Sequence, residues 1–87
     1  MTDTDDVPTI DLRGLKCPLP ALRTRKALSR LQPGAAVVVE CTDPLAAIDI
    51  PNLCRETGDI LEDSTVSGAV LVFRIRRNAG APRQTGG

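Results

Sequence analysis

The run Ala35-Ala-Val-Val-Val-Glu-Cys41 constrains the fold more than any other stretch of the chain. It is almost continuously apolar and rich in β-branched side chains, the pattern of a strand that sits in the middle of a sheet. A central strand needs a strand on either side and a layer to cover it. The rest of the sequence supplies both. Thr9-Ile10-Asp11-Leu12-Arg13 alternates apolar and polar residues, as a half-buried strand does, and Gly14 closes it. Ile60 to Val66 and Ala69 to Arg76 read as a hairpin turning at Ser67-Gly68. In its last strand Leu71, Phe73 and Ile75 face one side. Arg74 and Arg76 face the other and, with Arg77, read as the solvated face of an outer strand.

Two helices fit between these strands. Pro18 to Leu31 has proline in its first turn, where a missing N–H costs nothing, and Pro33-Gly34 stops it. At 100° per residue Ala21, Thr24, Ala27, Leu28 and Leu31 share the face that should pack on the sheet. Leu19, Leu22, Arg23, Lys26 and Arg30 gather on the opposite side, two leucines among three cations, as on a docking surface. Asp43-Pro44 can start a turn. Pro51 lies too deep for one unbroken helix from Pro44, so the sequence predicts a break and a second helix from about Ile50 to Thr57, ended by Gly58. The order is β-α-β-α-β-β. It implies an α/β (α+β) open two-layer sandwich: one mixed four-stranded sheet, the first two strands parallel, with two helices on one face.

At 87 residues the chain is one domain, expected over 9–77, with polar disordered tails at 1–8 and 78–87. Hydrophobic residues make up 41% of it, yet there is one Phe and neither Trp nor Tyr, so the core must be aliphatic and thin. Without aromatics the sheet cannot stack RNA bases, although direct nucleic-acid contact through basic residues stays open. Formal net charge is zero but unevenly spread. Arg13 to Arg30 holds six basic residues and no acidic one, and Glu40 to Asp63 holds seven acidic residues against Arg55 alone. Such a distribution suits a partner of complementary charge, and equally suits two ordinary solvated faces. Polar outer surfaces favour a monomer. The first residues lack the apolar core of a signal peptide, and no apolar run spans a bilayer, so no membrane partner is expected. Three irregularly spaced cysteines do not form a disulfide framework, which points to a reducing, cytoplasmic setting.

Cys17 lies directly before the first helix, where unpaired N–H groups and about half a positive charge are concentrated. With Lys16 adjacent and Arg13 near, both effects favour the thiolate, and a cysteine at such a helix start can fall from about 8.5 into the range of roughly 3.5 to 7.5. Pro18 and Pro20 stiffen the turn but remove two donors, so this benefit is partial. The chain has no histidine, which excludes a Cys-His pair, and no Cys-x-x-Cys, which argues against a thioredoxin-like dithiol. The same inventory speaks against a metal site. A solitary activated cysteine without a base suits attack of sulfur on sulfur. The residues alone leave open the alternative that Cys17 is a small buried side chain at a helix start. Cys41 and Cys54 read as packing residues.

The segment Leu12-Arg13-Gly14-Leu15-Lys16-Cys17-Pro18-Leu19-Pro20, continuing to Arg25-Lys26, resembles the Cys-Pro-x-Pro signature of the TusA (SirA-like) sulfur-carrier family. The likeness extends through Gln32-Pro33-Gly34, Asp43-Pro44, Asp49-Ile50-Pro51 and Cys54 and covers nearly all of 9–77. It implies a sulfurtransferase that carries persulfide sulfur on Cys17 and needs no other cofactor. The implied partners are a cysteine desulfurase or rhodanese-type donor and a DsrE-like or other acceptor. In family members the sulfur serves tRNA thiolation, molybdenum-cofactor synthesis or sulfur oxidation. Pro18, Pro20 and Gly14 would be the scaffold of the motif. Lys16, Leu19, Leu22, Arg23, Arg25, Lys26 and Arg30 would face the partner. The competing expectation is a non-catalytic regulatory module that binds protein or RNA through the basic helix.

Overall fold

The structure, a computed structural model, describes residues 7–78. The tails expected over 1–8 and 78–87 lie outside the described residues except at Val7, Pro8 and Asn78. Six elements follow one another: β1 (Thr9–Leu12), α1 (Leu19–Arg30), β2 (Ala36–Cys41), α2 (Ala46–Thr57), β3 (Ile60–Ser67) and β4 (Val70–Arg76). They form one four-stranded sheet in the order β1-β2-β4-β3. β1 runs parallel to β2, and the other pairings are antiparallel. The continuous apolar run is therefore an interior strand, as its composition requires.

Register decides what the helices cover. Leu12, Cys41 and Leu71 lie in line across three strands, as do Ile10, Val39 and Phe73, while Val37 pairs with Ile75. These residues share a face, and there they join Leu28 of α1 and Ala46, Ile50, Leu53 and Cys54 of α2 in a single core. The opposite face carries charge. Asp11 pairs with Arg13, and the Glu62 carboxylate accepts hydrogen bonds from Arg74 and Arg76. A register shift between Leu61 and Asp63 leaves Glu62 at a bulge, the device that lets a strand re-aim one side chain.

Three expectations need correction. The hairpin turns through Gly68-Ala69, one residue later than expected, because Ser67 still pairs with Val70. β4 is an interior strand flanked by β2 and β3, so its arginines do not protect an edge. Arg77 instead donates to the carbonyls of Leu28 and Leu31 at 2.6 and 3.0 Å, closing the C-terminal end of α1. Finally, α2 does not break at Pro51 but runs through it. The proline removes one backbone bond, to the carbonyl of Ala47, and Ala47 is an exposed residue. A break would turn half the helix away from the sheet. Burying Ile50 and Leu53, each worth about 1.5–3 kcal/mol, outweighs an interior proline costing roughly 3 kcal/mol.

Gly58 ends α2 with φ of 82°, and its N–H donates to the carbonyl of Cys54. A Cβ here would meet only the Asn78 side chain, at 3.9 Å. Gly58→Ala should therefore cost only the left-handed backbone penalty of about 1–2 kcal/mol, read as a lower urea midpoint at unchanged slope.

Candidate functional site

Two short loops that follow parallel strands meet beside Cys17. After β1 the chain turns at Gly14, whose φ of 84° suits glycine and whose N–H donates to Thr42 Oγ1 at 2.8 Å. That bond ties the loop before α1 to the loop after β2. Asp43 then uses both carboxylate oxygens. Oδ1 accepts the N–H of Leu45 at 3.0 Å and shapes the approach to α2, while Oδ2 accepts the N–H of Cys17. The Cys17–Pro18 peptide is cis. The Cys17 thiol is exposed and donates to Asp49 Oδ2, on the first turn of α2, at 3.0 Å. Cys17, Pro18, Ala21, Leu22 and Arg25 line one wall of a groove of about 290 Å³, and Asp49, Asn52, Leu53 and Glu56 line the other.

These contacts overturn the expected thiolate. The Cys17 thiol is held above its ordinary value, first by its hydrogen bond to Asp49, then by partial desolvation and by the charges of Asp49 and Asp43. The favourable helix end is weaker than it looks. Pro18 and Pro20 have no N–H, and the N–H of Leu19 is bonded to the carbonyl of Lys16 at 2.8 Å. A full negative charge in hydrogen-bond contact outweighs about half a positive charge offered through so few donors. At rest Cys17 is thus a thiol. Its alkylation rate should have its pH midpoint above the ordinary thiol value of about 8.5, measured by mass after timed treatment with iodoacetamide. A midpoint near 6 would restore the expectation from the helix end.

The other predicted site residues divide by role. Pro18 caps α1 without a side-chain bond. Pro20 is buried in the first turn, where its carbonyl accepts the Thr24 hydroxyl. Lys16 lines a second, smaller hollow of about 230 Å³ with Gly14, Leu15, Thr42, Asp43 and Pro44. Leu19 and Leu22 are exposed at 42% and 53%, and Leu22 lines the groove; Leu45 and Ile48, at the start of α2, are exposed as well. Arg23, Lys26 and Arg30 are exposed and make no ion pair among the described residues. Arg25 differs, reaching across the groove to Glu56 at 3.0 Å. Cys41 and Cys54 are buried in the core, and burial first of all pushes each thiol up to about 11. Among the described residues no group of His, Cys, Asp or Glu could hold a metal ion.

Asp43 and Asp49 are the site residues that sequence reasoning missed as partners of Cys17. Asp43-Pro44 read as a turn, which it is, and Asp49 read as the approach to a helix. Their signal lay in the acidic stretch opposite a basic one, but their contacts span 26 and 32 residues.

Comparison with known proteins bears on this geometry. A family described as Sulfurtransferase TusA matches residues 8–77. A protein of Neisseria meningitidis serogroup A that bears a sulfur-carrier name is 41% identical over 68 residues, covering 78% of this chain and 92% of that protein. The sulfur carrier protein TusA of Allochromatium vinosum is 35% identical over 78 residues, 90% of this chain and all of that one. A crystal structure of a SirA-like protein from Desulfitobacterium hafniense superposes with a TM-score of 0.74 at 24% identity, covering 83% of this chain and 99% of its own, a likeness of fold.

Proposed function

Because the chain belongs to the TusA sulfurtransferase family, we propose that it is a sulfur-relay protein that carries persulfide sulfur on Cys17. The observation that carries this reading is the placement of Cys17: exposed, at the mouth of a groove, with Cys41 and Cys54 both buried. The donor is a protein bearing a cysteine persulfide, of the desulfurase or rhodanese type. Cys17 attacks the outer sulfur of that persulfide. A bond forms between Cys17 Sγ and the transferred sulfur as the donor's S–S bond breaks, and the donor cysteine leaves as a thiolate that takes up the proton lost by Cys17. Discharge repeats the exchange toward an acceptor thiol on a DsrE-like or other protein. No resident cofactor enters either step.

The groove supports the approach of such partners, since sulfur exchange needs access to one sulfur along one line. Leu22 and Leu53 in its walls, with the exposed Leu19 two residues from Cys17, offer apolar contact. Three free thiols support a reducing, cytoplasmic setting, and no helix among the described residues is long and apolar enough to cross a membrane. A second reading, a binding module acting through α1, rests on Arg23, Lys26 and Arg30, which are exposed and form no ion pairs among the described residues.

The test is a full relay. The chain is loaded by a cysteine desulfurase with radiolabelled cysteine, separated from the donor, and mixed with a reduced acceptor protein. Label should leave the chain and appear on the acceptor, and a chain that takes up label but never releases it would contradict a relay. The binding reading predicts that Cys17→Ser keeps biological activity while charge reversal at Arg23, Lys26 and Arg30 loses it.

A further inference from the structure

The mouth of the groove contains a mismatch. All six basic residues from Arg13 to Arg30 lie near Cys17 in sequence or on α1, yet the side chain in contact with its sulfur is a carboxylate. The charged groups facing Cys17 come from three elements. Asp43 lies on the loop after β2, Asp49 on α2, and Lys16 beside Cys17 in the chain, close enough to act on Asp43 through its charge. Further along the groove Arg25 and Glu56 are paired with each other and neutralise one another. Neither Asp43 nor Asp49 forms an ion pair among the described residues. Asp43 is committed to two backbone N–H groups. Asp49 is committed to the sulfur, so loss of the thiol proton would leave two anions 3.0 Å apart.

We propose that Asp49 is an electrostatic latch on Cys17, opened by a cationic side chain that the sulfur donor places in the groove between α1 and α2. This rests on Cys17 being the sulfur carrier and names the chemistry of the partner that meets it. The closed latch keeps the thiol protonated and hence slow toward oxidants and stray electrophiles, which act on thiolates. A lysine or arginine from the donor pairs with Asp49, removes the repulsion, and frees the thiolate where the persulfide arrives. Selectivity thus comes from a small acidic contact at the sulfur, against the sign of the wider basic face of α1. Asp49 acts through Cys17 and is a positioning residue.

Charge-tagged disulfides read this directly, because the reagent brings its own charge to the sulfur. The full chain is treated with cystamine, a dication, with 2-hydroxyethyl disulfide, which is neutral, and with dithiodipropionate, a dianion. In each reaction the Cys17 thiolate attacks one disulfide sulfur, a mixed disulfide forms on Cys17, and one thiol equivalent is released with the proton. Rates are followed by intact mass and divided by the rate of each reagent with 2-mercaptoethanol, which removes differences in leaving group.

The wild-type chain should prefer the dication over the dianion by about tenfold or more, and the preference should shrink as salt rises. In Asp49→Asn it should fall toward unity, while the neutral reagent reacts faster than with wild type at pH 7. An equal preference in both chains, or a faster dianion in wild type, would overturn the latch, the latter placing control with Lys16 and the α1 cations. If Asp49→Asn fails to fold, the wild-type preference and its salt dependence decide alone. Sulfur loading is scored separately. A chain that loads on Cys17 but shows no charge preference refutes only the latch, whereas one that never loads refutes the relay.

Discussion

Cys17→Ser should fold as the wild-type chain does and accept no sulfur. The side chain is exposed, and its one side-chain hydrogen bond among the described residues is the one to Asp49, which a serine hydroxyl can also donate. The melting temperature should therefore stay unchanged. Sulfur uptake should fall to background because no other thiol can substitute. Cys41 lies on β2 in the core and Cys54 on α2 in the core, each with a thiol pushed up to about 11 by burial. Thiolate, not thiol, is the nucleophile. Intact mass after incubation with a desulfurase and cysteine checks the chemistry, and a thermal melt checks the fold. Equal loading of the serine variant would place the sulfur elsewhere.

Phe73→Ala should bring the fold close to collapse. Phe73 is the one aromatic residue of the chain and is only 1% exposed, in line with Val39 and Ile10 beneath the helices. An aliphatic core this thin has no second large side chain to move into the space. Truncations of this kind cost about 3–5 kcal/mol. Whole domains are stable by about 5–15 kcal/mol, with small ones at the low end. A urea titration should show the midpoint falling by half or more. A shift equivalent to under about 1 kcal/mol would mean that the site is not packed as described.

What could be read in the sequence follows from the range of the forces involved. Periodicity is local, so the order of the elements, the interior place of Ala36–Cys41 and the stop at Gly58 were legible. The solvated side of α1 was legible for the same reason, as Leu19, Leu22, Arg23, Lys26 and Arg30 are all exposed. The continuity of α2 was not, because its tolerance of Pro51 depends on what Ile50 and Leu53 bury on the sheet. Nor was the place of β4, since strand order is a long-range choice, and its arginines proved to serve Glu62 and, at Arg77, the end of α1. The site shows the same division. Cys17 was conspicuous from its neighbours in the chain. Its charge state was misread because Asp43 and Asp49 arrive from the far side of β2. Local helix-end logic predicted a thiolate, and two carboxylates brought in by the fold reversed the sign.

The central claim is that the transferred sulfur resides on Cys17, and the sequence makes that directly measurable. Trypsin separates a peptide beginning at Cys17 from the peptide 31–55, which contains both Cys41 and Cys54. The chain is loaded by a desulfurase, alkylated to trap the persulfide, digested and weighed. All of the added sulfur should appear on the peptide that begins at Cys17, with none on 31–55. Sulfur on the 31–55 peptide, with the Cys17 peptide unmodified, would contradict the account.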